Sequence, residues 1–492
     1  MLLRRTGKPA LTGVLCAALG VAAAELLAAA TRPAAAPLVA VGSAVIDATP
    51  TPVKEFAVRN LGTWDKPVLL GSIGLVLILF TAVVGVLTVR RRWAAIAGAA
   101  LFGLAGAAAA LSRPAATLYD AVPSLLGATI AGGALLWTRA RVARPDRRTF
   151  LRTALLVTGG AVLFGGAAET VKRVRGSAIT RSRQAIKLPA AADPAKPLPS
   201  GQAPGFTSAK LYRVDTALSL PKIDVDTWSL RIHGRVDKEL ELSFADLLER
   251  PLKERDITLN CVSNEVGGPY IGTVRWLGIP LAPLLAEAGV DPEADQLVAR
   301  SVEGMTIGTP VATLLDGRDA MLCVGMNGEP LPVEHGFPVR MLTPGLYGYA
   351  GSCKWVTELE LTTFADFDAY WVRRGWAAQG PVKTASRIDK PRPFATIQAG
   401  TTTVAGVAWA QGRGIRTVEV RVDDRGWQKA ELLPVPSSDT WVQWRYEWKA
   451  TPGPHTLAVR ATDGTGAVQT EQRATPFPDG ATGWHTITAT VD

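Results

Sequence analysis

The sequence predicts a multi-domain chain: N-terminal all-α transmembrane helices, then a mixed α/β domain, then an immunoglobulin-like β-sandwich. Three observations carry that order. Residues 1–176 are apolar and punctuated by arginine clusters. From 210 onward, after a polar Pro/Ala/Gly-rich stretch at 177–209, short alternating strands mix with short helices. Beyond 385 only strand and turn patterns remain. A chain of 492 residues also exceeds one ordinary core, which agrees with several domains.

In the first part, residues 68–89 (VLLGSIGLVLILFTAVVGVLTV) form an uncharged run long enough to cross a bilayer, which takes roughly 20 residues. Runs at about 10–30, 93–112 and 121–138 are similar but richer in Ala and Gly, which suits close helix packing. A fifth, 150–170, contains Arg152. The domain 1–176 is therefore expected to hold about five spans, surrounded by membrane lipid. Arg4, Arg5 and Lys8 precede the first span, Arg90–Arg92 follow the second, and Arg139, Arg141, Arg144, Arg147 and Arg148 separate the fourth from the fifth. An odd number of spans puts these clusters on the cytoplasmic side of a multi-pass cell-membrane protein and everything downstream on the extracytoplasmic side. Lys172, Arg173 and Arg175 on the far side oppose this pattern without reversing it. The run DRRTFLR (146–152) resembles a twin-arginine export signal placed internally, a route for proteins folded around a cofactor.

Residues 1–176 hold 20 Lys and Arg against 7 Asp and Glu, and the remainder holds 33 against 36, so the net charge of +10 belongs to the membrane part. No nucleic-acid partner is expected from such a distribution. Transport through the spans would call for paired polar residues inside them, and only Glu25 is found. The four histidines (His233, His335, His455 and His485) lie outside the apolar segments, so no haem held by two span histidines is expected in this chain. The four cysteines (Cys16, Cys261, Cys323 and Cys353) form no CxxC pair, which signals neither zinc nor a disulfide framework.

In the domain 210–384, WSLRIHG (228–234) alternates as a strand, SFADLLER (243–250) reads as a helix with Ser243 as N-cap, and DITLNCV (256–262) alternates again. No GxGxxG loop or βαβ rhythm is present, which excludes a nucleotide-binding sheet of that kind. Cys261 ends its strand and enters a loop with Gly267 and Gly268, where backbone can approach a bulky ligand. A thiolate there is a soft ligand for a transition metal; a buried structural cysteine is the competing reading.

The stretch TLNCVSNEVGGPYIGTVRWLGIPLAPLL (258–285) resembles the sulfite oxidase family of molybdopterin enzymes. In that family the metal-binding Cys is followed by the same W-x-G-x-P-L-x-x-L-L run, here Trp276, Gly278, Pro280 and Leu281. A second block, MNGEPLPVEHGFPVRMLTPGLYGYAGSCKWVTELEL (326–361), is similar to the family's pterin-binding segment. The resemblance implies that His335, Arg340, Ser352 and Lys354 contact the cofactor. The segment supplies two fixed cations, an imidazole and backbone donors exposed by a Gly/Pro loop for a phosphate and a polar ring. KLYRVDTA (210–217) resembles the family's opening strand and implies Tyr212, Arg213 and Asp215 near the pterin. Cys353 is then expected close to the cofactor. One departure stands out: where sulfite oxidases proper carry Asn-Arg-Arg after the metal Cys, this chain reads Asn264, Glu265, Val266. Loss of a cation and gain of a carboxylate disfavour a small dianion at the metal. Arg373 and Arg374 in YWVRRGW (370–376) are candidates to restore the charge, or are surface groups.

Residues 385–492 carry TTVAGVAWA, RTVEVRVDD, WVQWRYEWK and HTLAVRATD, turn signals and six Trp, the pattern of an immunoglobulin-type sandwich. The region resembles the family's dimerisation domain, which implies a homodimer. The whole resemblance implies a sulfite-oxidase-type molybdopterin domain with molybdenum held by a pterin and Cys261, acting in two-electron oxygen-atom transfer on a small S-oxide or sulfite-like molecule. Electrons would pass to or from a separate donor or acceptor, a haem protein or quinone-linked carrier. The alternative from another class is a membrane-anchored binding protein on the same fold without the cofactor.

Overall fold

The computed structural model describes residues 2–142, 147–201, 203, 205–208 and 210–492. Arg144 and Asp146, part of the charged loop and the export-like run, lie outside the described residues. The chain divides into two compact units, Met1–Arg181 with Asp215–Lys222, and Ser182–Val214 with Ile223–Asp492.

The first unit is helical: α1 (Leu2–Ala30), α2 (Pro37–Ala48), α3 (Thr51–Leu61), α4 (Asp65–Arg90), α5 (Trp93–Leu111), α6 (Val122–Val142) and α7 (Arg147–Ala185). Five of these are long and apolar enough to cross a membrane: Thr6–Ala30, Asp65–Arg90, Trp93–Leu111, Leu118–Arg139 and Arg148–Ala185. The short helices α2 and α3 were not expected from the sequence. Helix α1 packs on both α4 and α6 through glycine contacts. A Cβ at Gly13 would fall 2.1 Å from Thr81 O of α4, and one at Gly20 would fall 2.2 Å from Gly127 O of α6. Only Gly lets helix backbones approach this closely where packing, not the hydrophobic effect, holds helices together.

Helix α7 corrects the expected boundary at 176, because it continues through Ala185 into the stretch read as linker. At 39 residues it is ~58 Å long, about twice a bilayer's hydrocarbon thickness. Its polar second half carries the cations that opposed the charge pattern. Lys172 Nζ pairs with Glu25 at 2.7 Å and Arg173 with Glu169 at 2.9 Å. Arg175 donates to Ala29 O at 2.6 Å and Ala30 O at 2.7 Å. Those carbonyls end α1, where a guanidinium satisfies orphan acceptors and complements the helix dipole.

In the second unit, β1 (Ser229–Gly234), β2 (Leu240–Ser243), β3 (Lys253–Asn260), β4 (Ile271–Pro280), β5 (Gln296–Ser301), β6 (Thr306–Pro310), β7 (Met321–Met326), β8 (Glu329–Pro330), β9 (Arg340–Leu342), β10 (Ser352–Cys353) and β11 (Val356–Thr362) build two sheets. One runs β2-β1-β11-β5-β6; the other runs β10-β9-β7-β4-β3, with β8 paired to β7. Among these strands β1 pairs parallel with β11, and the remaining ladders are antiparallel. A core of Leu230, Ile232, Leu285, Leu297, Leu322 and Leu359 draws on both sheets and on helix α9, the third-last helix (Leu281–Ala288), which follows α8 (Phe244–Leu248). Ser243 caps α8 as expected, accepting from Asp246 N–H while the Asp246 carboxylate accepts from Ser243 N–H at 2.8 Å.

The remaining strands, β12 (Ala385–Lys390), β13 (Ala395–Ile397), β14 (Gly400–Trp409), β15 (Ile415–Val422), β16 (Gln428–Lys429), β17 (Glu431–Leu432), β18 (Val442–Ala450), β19 (Gly453–Asp463) and β20 (His485–Val491), form two more sheets, β12-β14-β18-β17 and β13-β20-β19-β15-β16. Val404, Trp444 and Trp448 from one and Val418, Val420, Leu457, Val459 and Ile487 from the other share a core, so this part is a two-sheet sandwich. Strand β12 occupies most of the stretch 385–393 and opens this part of the chain.

Candidate active site

The site is built on the sheet β10-β9-β7-β4-β3. Strand β3 ends at Asn260, so Cys261 is the first residue of the β3–β4 connection. That loop closes on itself. Cys261 N–H donates to Tyr270 O (3.0 Å), Asn264 N–H to Cys261 O (3.1 Å) and Gly268 N–H to Glu265 O (2.8 Å). The buried Asn264 side chain accepts from Tyr270 N–H at 2.8 Å. Gly267 has φ of +80°, and a Cβ there would lie 2.3 Å from His485 Nε2. A residue with a side chain is thus excluded twice, by conformation and by space. Burial pushes the Cys261 thiol up, while the N–H and hydroxyl of Ser263, and Lys354 nearby, pull it down. On balance the thiol is raised, with Ser263 and Lys354 offsetting part of the burial penalty on an anionic sulfur.

The second group comes from residues 333–354. A single 3-10 turn, Val333–His335, ends at Gly336 with φ of +115° and carries a buried His335. Arg340 opens β9 and is 6% exposed; its Nε donates to Ser352 Oγ at 2.8 Å and its Nη1 to His335 O at 3.2 Å. The guanidinium lies over the fully buried Trp276 of β4, 5.4 Å from the ring centroid. Ser352 Oγ in turn donates to Met341 O at 2.9 Å, and Lys354 Nζ donates to Glu334 O at 3.3 Å. His335 is lowered to about 4, first by burial and then by Arg340, Lys354 and Arg213, so its imidazole is neutral at physiological pH. Arg213, Arg340 and Lys354 thus converge on one imidazole.

Tyr212 joins the group: its ring meets Tyr270 edge-on at 6.1 Å, and its hydroxyl is raised by burial and by Cys261. Asp215 is used otherwise. Its carboxylate pairs with Lys66 of α4 at 2.7 Å, and the same ammonium donates to Ala217 O. The structure therefore gathers Cys261, Tyr212, Arg213, His335, Arg340, Ser352 and Lys354 and commits Asp215 to the helical unit. Cys353 of β10, between Ser352 and Lys354 in the chain, packs in the apolar core, where burial pushes its thiol up to about 12 against the pull of Arg340 and Lys354. Arg374 stacks on Tyr370 at 3.5 Å and Arg373 is exposed. Two contributors had no sequence signal, Ser263 at the sulfur and Tyr347, whose buried hydroxyl is raised to about 12 and feels Cys261.

The donor set fits a molybdenum–pterin group. Among the described residues no three His, Cys, Asp or Glu gather as a protein-only metal site, so a metal at Cys261 needs further ligands from a bound molecule. Asn260 Oδ1, in the residue before Cys261, is buried without a hydrogen-bond partner among the described residues. The cation cluster suits a phosphate, and the opening glycine of α11 (Gly348–Gly351), which follows α10 (Val311–Leu315), leaves open space except for Asn260 O at 3.9 Å.

Comparison with known proteins agrees. The family model described as oxidoreductase molybdopterin binding domain matches residues 217–371. Mouse mitochondrial sulfite oxidase is 30% identical over 283 residues, 48% of this chain and 51% of that protein. The human enzyme is 31% identical over 271 residues, 46% of this chain and 49% of the relative. The oxidoreductase YuiH of Bacillus subtilis (strain 168), described as uncharacterized, is 32% identical over 157 residues, 32% of this chain and 76% of its own length. Among solved structures, the sulfane dehydrogenase SoxCD from Paracoccus pantotrophus aligns with a TM-score of 0.49 and 23% identity, covering 60% of this chain and 88% of that one. Residues 217–371 match a molybdopterin-binding oxidoreductase domain. The chain belongs to the sulfite oxidase family of molybdenum-dependent oxidoreductases, and it spans about half the length of the mammalian sulfite oxidases it matches.

Proposed function

We propose that this protein is a membrane-anchored oxidoreductase in which Cys261 ligates molybdenum and His335, Arg340, Ser352, Lys354, Tyr212 and Arg213 hold the pterin. The observation that carries the reading is the convergence of Arg213, Arg340 and Lys354 on a neutral His335, with Lys354 also acting on the Cys261 thiol. When bound, the molybdenum–pterin group would supply two-electron redox chemistry and an exchangeable oxygen for a small S-oxide or sulfite-like substrate. The chain's own residues do the rest. Ser263 stabilises the Cys261 thiolate, and the fork of Arg340, preset by Ser352 and His335 O, holds a phosphate geometrically while Lys354 adds a point charge. Tyr212 and Tyr347, both raised, keep their protons and can donate from their hydroxyls near the sulfur. Glu265 and Val266, in the place of the family's two arginines, direct the site away from a dianion.

Electrons are exchanged with a separate partner, a haem protein or quinone-linked carrier, since no span carries a histidine. The helices with their lipid anchor the enzyme, and the second unit lies on the extracytoplasmic side. Supporting that side, the clusters at Arg4–Lys8, Arg90–Arg92 and Arg139–Arg148 outnumber Lys172, Arg173 and Arg175. The sandwich, with its two sheets of mainly antiparallel strands, is taken as immunoglobulin-type and as the homodimer contact.

Metal analysis of the full chain, expressed in a host able to make the cofactor, tests the central claim. About one molybdenum per chain is expected, falling below a tenth in Cys261→Ser. Wild-type protein without molybdenum would leave the cofactor-free binding protein as the reading.

A further inference from the structure

Cys261 is held from two directions by the β-sandwich. On the strand side, Thr258, three residues before Cys261, donates its N–H to Asp439 O at 2.9 Å. Thr258 O accepts from Gln411 Nε2 at 3.1 Å, and Thr258 Oγ1 accepts from Trp441 N–H at 2.7 Å. These groups are buried, and Gln411 is 2% exposed. On the loop side, Arg387 of β12 donates from Nη1 to Gly268 O at 2.7 Å and is itself oriented by Asp389 at 2.6 Å. The first residue of β20, His485, rests against Gly267, and its Nδ1 accepts from Ile388 N–H at 2.9 Å. An Nδ1 acceptor fixes the neutral tautomer with the proton on Nε2. Burial and the neighbouring Arg387 lower this imidazole to about 4, in keeping with that form. Val262, beside Cys261, also packs in one apolar cluster with Val407, Trp409 and Trp441 of the sandwich.

We infer that the C-terminal sandwich is a clamp that sets the position of the Cys261 sulfur, with Arg387 and His485 as positioning residues acting through the Gly267–Gly268 tip. The loop's internal bonds join Cys261 to Asn264 and Tyr270, so displacement at the tip is passed to Ser263 and the sulfur. A charge-assisted bond to a backbone carbonyl is among the stronger single restraints a side chain can place on a loop. Arg387 spends its guanidinium on that carbonyl and on Asp389, and His485 fills the space that Gly267 leaves. Rigid sheet elements outside a site are the means by which a ligand loop keeps its geometry. The inference rests on the assignment of Cys261 as the metal ligand, but the clamp is testable without metal.

The test uses the full chain in detergent, prepared without cofactor, as wild type, Arg387→Ala, Arg387→Lys and His485→Ala. The alkylation rate of Cys261 by iodoacetamide and the amide exchange of a peptide covering 262–270 are measured. Cys16, Cys323 and Cys353 are each 0–1% exposed, so Cys261 dominates the reaction. Arg387→Ala and His485→Ala are expected to raise both rates at least tenfold, with peptides from β14 and β18 unchanged, and Arg387→Lys to recover most of the protection. In cofactor-loaded protein the same variants should shift the molybdenum electron paramagnetic signature. Unchanged rates in both alanine variants would overturn the clamp, as would equal acceleration throughout the sandwich. A protein that takes up no molybdenum overturns the cofactor assignment and leaves the outcome of the exchange experiment standing.

Discussion

His335 offers a quantitative handle on the charge cluster, because its titration is displaced by groups whose positions are known. Its folded value is about 4 against 6.5 for an ordinary imidazole, owing to burial and to Arg340, Lys354 and Arg213. A group lowered on folding binds its proton better in the unfolded chain. Its contribution to stability is complete above pH 6.5 and is lost as the pH falls toward 4. Between pH 7.5 and 5.0 that loss amounts to about 2 kcal/mol for the cofactor-free protein. His335 is only 7% exposed, so little of this is screened by solvent. The perturbation is His335→Gln, which keeps a polar side chain and removes the titration. Urea unfolding of the full chain in detergent, followed by tryptophan fluorescence, gives the stability of each protein at the two pH values. His485, also lowered to about 4, contributes in the same direction in both proteins and cancels in the comparison. Wild type is expected to lose about 2 kcal/mol more than the variant. A difference below about 0.5 kcal/mol would refute the claim that a buried imidazole faces three cations there. Loading with cofactor should shrink the effect, because phosphate charge raises His335 back toward its ordinary value.

Two further outcomes follow from the placement of residues the sequence reading had put at the cofactor. Cys353→Ala should cost about 1 kcal/mol of unfolding stability through lost packing and leave the molybdenum content at the wild-type level, since Cys353 faces the core; a large fall in metal would place it at the site after all. Lys66→Met removes the ammonium bound to the 7%-exposed Asp215 and to Ala217 O, at a cost of about 3 kcal/mol. Limited proteolysis should then cut within 215–222, and an unchanged digest would count against Lys66 as the fastening of that segment.

What could be read from the sequence depended on whether a residue's neighbours were local. Cys261, His335, Arg340, Ser352 and Lys354 entered as candidates through two contiguous segments that resemble a known family, and the β3–β4 and β9–β10 pairings keep the residues within each segment close in space. Asp215 was not, because 210–217 forms no regular strand and no period fixes which way a side chain points. The second half of α7 was hidden because ETVKRVRGSAITRSRQA has no apolar stripe; pairs such as Glu169–Arg173 and the capping of α1 by Arg175 support it instead. Strand β20 does carry a period of two in Ile487, Ala489 and Val491, but alternating threonines and a long irregular segment before it weaken the pattern. The clamp on Cys261 was wholly illegible. Thr258, Arg387, Gln411, Trp441 and His485 are scattered over more than two hundred positions, and only tertiary packing brings them to one loop.

The sheet order explains why the two halves of the site form one unit. Cys261 hangs from the β3–β4 hairpin and the phosphate-seeking residues from β9 and β10, with β7 between β4 and β9. Trp276 of β4 bridges that separation: its Nε1–H donates to Ile257 O of β3 at 3.3 Å, and its ring lies under the Arg340 guanidinium. The indole thus ties the strand that leads to Cys261 to the Arg340 guanidinium, and does so with no exposed surface of its own. An indole offers both a broad face for a guanidinium and an N–H donor for a backbone carbonyl. The Trp that opens the W-x-G-x-P-L-x-x-L-L run therefore has a physical task beyond filling the core: it links the β3–β4 hairpin to Arg340 of β9 across the intervening strand β7.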